Sequence, residues 1–60
     1  MTARAELSSV ATRLHELLGR ISEIADGLGH DEKDEVGPEL FEVERTLRSA
    51  ERRLNRVLDR

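Results

Sequence analysis

The sequence predicts an all-α protein: an antiparallel, coiled-coil-like helical hairpin that dimerises into a four-helix bundle. Three observations carry that prediction. Apolar residues recur at heptad spacing in two separate runs. A polar, acidic stretch divides the runs. The chain has 60 residues and no cysteine, so neither a disulfide nor a thiolate metal site reinforces a core this small. Chains of this size usually gain the missing core by association.

The first run is Leu7, Val10, Leu14, Leu17, Ile21, Ile24 and Leu28, spaced alternately by three and four. That is an a/d heptad pattern sustained over three repeats. With Leu7 at a, Ala11, Leu18 and Ala25 fall at e. A two-stranded seam needs a and d, so the third apolar column predicts a second neighbour. Thr2 is a suitable N-cap, and the helix is expected over 2–28. Gly27 and Gly29 punctuate its end, with Gly29 expected in the left-handed C′ conformation. Gly19 falls at f, away from the stripe, at a cost of about 1 kcal/mol relative to Ala.

Residues 29–37 read as a loop, because they are almost wholly polar. Gly37-Pro38-Glu39 then reads as a helix start with Pro38 at the first helical position, where its missing N–H costs nothing. The second helix is expected over 38–59. Its apolar residues are Leu40, Val43, Leu47, Ala50, Leu54 and Val57, with Glu44, Glu51 and Leu58 at e. The whole chain, 1–60, is thus expected to be a single helical-hairpin domain.

A hairpin covers one flank of each helix. The expected partner face is on the first helix: Leu7, Val10, Leu14 and Ile21, together with the e residues Ala11, Leu18 and Ala25, which the hairpin is expected to leave partly wet. The expected partner is a second copy, and another protein's helix fits the same groove. Paired hairpins of this length resemble the small plasmid copy-number regulators of the Rop type. That resemblance rests on heptads and length and implies a bundle architecture, not a function.

The net charge of -3 and pI near 5.3 argue against general nucleic-acid binding. The distribution says more. Residues 30–44 carry Lys33 against Asp31, Glu32, Asp34, Glu35, Glu39, Glu42 and Glu44, a balance of -6. Residues 45–60 carry six arginines against Glu51 and Asp59, a balance of +4. Arg45, Arg48, Arg52 and Arg56 are spaced 3, 4, 4, which predicts one outward stripe suited to phosphates or carboxylates. Without interleaved aromatics, the stripe would contact a nucleic-acid backbone rather than stack on bases. Ser49 and Arg52 are similar to part of the Glu-x3-Ser-x2-Arg-x3-Gln-x3-Asp signature of helical-hairpin anti-sigma factors. That resemblance implies cyclic di-GMP as a ligand class. The Glu, Gln and Asp places hold Arg45, Arg56 and Arg60 here. Phe41, the only aromatic residue, is expected to pack beneath the loop or to serve as an exposed partner anchor.

No catalytic, cofactor or metal site is expected. The hydroxyl residues are scattered, and a packed hairpin offers no pocket in which to orient a nucleophile and a base. His15 and His30 have Thr12 and Gly27 three residues before them, not the Glu of a bundle carboxylate–histidine site. The acidic loop lacks the spacing of a calcium loop. No apolar run reaches the roughly 18 residues of a membrane span, and a cytoplasmic location is the default expectation. The expected function is therefore that of a small non-enzymatic regulator or adaptor, acting through helix-mediated protein binding and homodimerisation. The alternatives are an anion-binding regulator that contacts nucleic acid or a nucleotide through its arginines, and a structural assembly subunit.

Overall fold

The computed structural model describes residues 2–60. They form two helices, α1 (Ala3–Asp26) and α2 (His30–Leu58), packed side by side. The Cα envelope measures 46 × 16 × 11 Å, a slab two helices wide and one helix thick. Cross-helix bonds fix the antiparallel direction. Arg4 donates to the carbonyl oxygens of Leu58 and Arg60, His15 meets Glu51, and Ser22 meets Glu44.

Thr2 is extended and its hydroxyl accepts from the Ala5 N–H, 3.1 Å away, which caps α1. At the other end Gly27 stays in the right-handed helical region, at φ -90° and ψ 0°. The left-handed glycine expected at Gly29 is absent. Gly29 is instead the extended N-cap of α2, at φ -67° and ψ 166°.

The expected loop at 29–37 is also corrected, because α2 begins at His30, eight residues before the expected start at Pro38. Glu and Lys are good helix formers, and Asp31 and Glu32 in the first turn suit the positive end of its dipole. Pro38 lies inside the helix, so the carbonyl of Asp34 loses its partner. That carbonyl lies in a segment open to solvent, every residue from His30 to Val36 being exposed. The Ser22–Glu44 bond sets the last turn of α1 level with Leu40. The first turns of α2 thus overhang α1, flanked only by the connection from Gly27 to Gly29.

The hairpin seam does not use the expected a and d columns. On α1 the covered apolar residues are Ala11, Leu14, Leu18, Ile21 and Ala25, which are columns a and e; Ser22 at b is also half-buried, and Leu28 continues column a just past the helix end. On α2 the covered residues are Gly37, Leu40, Glu44, Leu47, Glu51, Leu54 and Leu58, again a and e, with Ser49 half-buried at c. Two carboxylates in a seam need partners. Glu44 accepts from Ser22 Oγ at 3.3 Å, and Arg48 Nη2 lies 3.1 Å from Ser22 Oγ and 3.5 Å from Glu44. Glu51 accepts from His15 Nδ1 at 2.8 Å. The small side chains Ala11 and Ala25 allow close helix approach on either side of Leu18, which is 4% exposed and the only buried side chain among the described residues.

The accessible surface is 4996 Å². A folded monomer of this mass exposes roughly 3,950 Å². The excess, on the order of 1,000 Å², is comparable to the ~800 Å² that one partner buries in a standard interface.

Candidate interaction surface

The columns left outside the seam define the surface. On α1, column d is Val10, Leu17 and Ile24, and on α2 it is Val36, Val43, Ala50 and Val57. The large members of both columns are 44% to 59% exposed. A two-fold rotation about the normal of the slab carries one antiparallel helix onto the other. Equivalent heptad columns therefore emerge on the same side. The two d columns form one aliphatic face, running about 21 Å along α1 and about 32 Å along α2 at 1.5 Å per residue. The bonds made across the middle of the seam by His15, Ser22 and Arg48 all start from column b and lie on the opposite side, while Arg4, at e, reaches the carbonyls of Leu58 and Arg60 at the terminal end. One face of the slab is tied by hydrogen bonds; the other is aliphatic.

Of the e residues expected to stay partly wet, Leu18 is buried in the seam and Ala11 and Ala25 are half-buried, as are Leu14 and Ile21. Of the expected partner residues, only Leu7 and Val10 remain exposed, and Leu17, Ile24, Val43 and Val57 join them. Phe41 does not pack beneath the connection. It is 65% exposed in column b, on the polar side of the slab.

The arginine row also divides. Arg48 turns across the seam to Ser22 and Glu44. Arg45 pairs with Glu42 at 3.2 Å. Arg52 and Arg56 have no ion-pair partner among the described residues. The hollow on this flank, about 510 Å³, is lined by Arg45, Thr46, Ser49, Ala50, Arg52 and Arg53. Its members include Arg53, a residue outside the expected stripe, and exclude Arg48 and Arg56. A second hollow of about 270 Å³ lies next to it on α2, lined by Glu39, Glu42, Val43, Thr46 and Leu47. One hollow is basic, the other acidic, and Thr46 belongs to both.

No protein-family model matches the chain, and no curated protein or solved structure matches it significantly. Among the described residues no three carboxylate or imidazole groups converge as metal ligands, and no helix is long and apolar enough to cross a membrane.

Proposed function

We propose that the chain is a helical-hairpin interaction module, a small non-enzymatic regulator or adaptor that works as a homodimeric four-helix bundle. The observation that carries this reading is the aliphatic face formed by Val10, Leu17, Ile24, Val43 and Val57, all about half exposed while Leu18 alone is buried among the described residues. Contiguous apolar faces of this kind mark association sites. A seam through a and e with d turned to one side is also what a two-layer bundle requires. Each helix then has one flank for its hairpin neighbour and one for the other layer. Sedimentation equilibrium at micromolar to high-micromolar concentration is expected to give twice the chain mass. Leu17→Asp is expected to give the single mass, since it places a charge on the shared face without touching the hairpin seam. A wild-type chain that stays monomeric would reject the reading.

The second reading, an anion-binding regulator, is favoured by the basic hollow and by the unpaired Arg52 and Arg56. Guanidinium groups on one flank suit phosphate oxygens. Its signature would be retention on heparin that falls steeply with salt and is lost in Arg52→Glu/Arg56→Glu. Retention unchanged in that variant would dispose of it.

A further inference from the structure

We infer that the second copy docks on the aliphatic face with its loop end over the first copy's terminal end, so that α2 lies antiparallel on the partner's α2 about a dyad at Thr46. The inference rests on the dimer reading and adds its orientation and register.

The decisive pattern is column g of α2, which flanks the exposed d column on its outer side. Read in order along the helix it is Glu32, Glu39, Thr46 and Arg53, and Arg60 follows at the same spacing two residues past its end. The column is charge-complementary to its own reverse. Antiparallel helices bring g against g, and a dyad at Thr46 sets Glu32 against the partner's Arg60 and Glu39 against the partner's Arg53. Symmetry repeats both pairs, giving four between the chains. None of these four residues takes part in an ion pair within the chain among the described residues.

The same dyad satisfies the d column. Val36 falls level with the partner's Val57, and Val43 with the partner's Ala50, a large residue opposite a small one. The two hollows interchange under this operation. The acidic one, with Glu39 and Val43, meets the basic one, with Arg53 and Ala50. On α1 the operation sets Leu17 near the partner's Ile24. It also brings Arg20 toward the partner's Arg20, a like-charge meeting offset by Glu23, which lies 3.5 Å from Arg20 in each chain.

The competing arrangement stacks loop end on loop end and lays α2 on the partner's α1. By the register of the His15–Glu51 and Ser22–Glu44 bonds, that arrangement brings Arg53 to the partner's Arg13. It leaves Glu32 and Glu39 without a facing cation, and it crowds two segments of charge -6 at one end. Like charges across an interface select against a partner geometry.

Charge exchange within column g tests the inference. The Glu32→Arg/Glu39→Arg chain has an all-basic column and the Arg53→Glu/Arg60→Glu chain an all-acidic one. Each is expected to self-associate at least about tenfold more weakly than wild type at low salt, and an equimolar mixture to form heterodimers of near wild-type affinity. Independently, Thr46→Cys is expected to become a covalent dimer on mild oxidation. If wild type is dimeric but both exchanged chains self-associate as tightly as wild type and Thr46→Cys does not cross-link, the orientation is wrong and the dimer reading stands. If wild type is monomeric at high-micromolar concentration, both fall, and a different protein occupies the face.

Discussion

Leu17 and Leu18 are adjacent, identical in chemistry, and placed in opposite situations. Leu18 is 4% exposed in the seam, and Leu17 is 59% exposed on the aliphatic face. Truncating a buried Leu leaves a cavity and costs about 2–5 kcal/mol. Leu18→Ala is therefore expected to lower stability at every protein concentration, as read by urea unfolding. Leu17→Ala is expected to act through association, so its cost should grow with concentration and vanish on dilution. Equal, concentration-independent losses in the two variants would contradict the division of the face. Gly19, one residue on, has open space where a Cβ would stand, and no described residue has a positive φ. Gly19→Ala is expected to raise stability by about 1 kcal/mol, measured the same way. The sequence marks Leu17 and Leu18 as equally apolar members of a heptad. It cannot separate them, because a heptad gives columns and not the flank on which a neighbour settles. Here the flank is the one on which Glu44 and Glu51 find Ser22, Arg48 and His15.

At the scale of elements, both helices are legible from periodicity, and the cap at Thr2 from its hydroxyl. The start of α2 is not. Gly37-Pro38 imitates a helix N-terminus, and an acidic run imitates a loop. The same run forms a helix because its glutamates and lysine favour one and its first-turn acids suit the dipole, and the carbonyl that loses its partner at Pro38 lies in a segment exposed from His30 to Val36. Such a segment opens at low cost. Hydrogen exchange is expected to find the amides of 33–37 the fastest in either helix interior. Pro38→Ala restores an N–H for the Asp34 carbonyl and removes a steric conflict worth up to about 3 kcal/mol in a helix interior. That variant should slow exchange across 33–37 and raise helical ellipticity. Exchange as slow in wild-type 33–37 as around Leu47 would show that the overhang is covered.

At the scale of the molecule, the net charge of -3 conceals a dipolar α2, with -6 over residues 30–44 and +4 over 45–60. Self-association and anion binding therefore draw on overlapping groups. Arg53 lines the basic hollow and would also face the partner's Glu39 in the proposed antiparallel dimer. A polyanion seated among Arg45, Arg52 and Arg53 would displace the carboxylates of a second copy, so the two events are expected to exclude one another. Because a ligand shifts the equilibrium only through its differential affinity for the two states, pyrophosphate should then raise the monomer fraction. It should also lower the concentration-dependent melting temperature that association confers. High salt would weaken the same pairs by screening, so the comparison is made at constant ionic strength. A dimer that takes up pyrophosphate without dissociating would show that the arginine flank and the aliphatic face are separate surfaces, each free to hold its own partner.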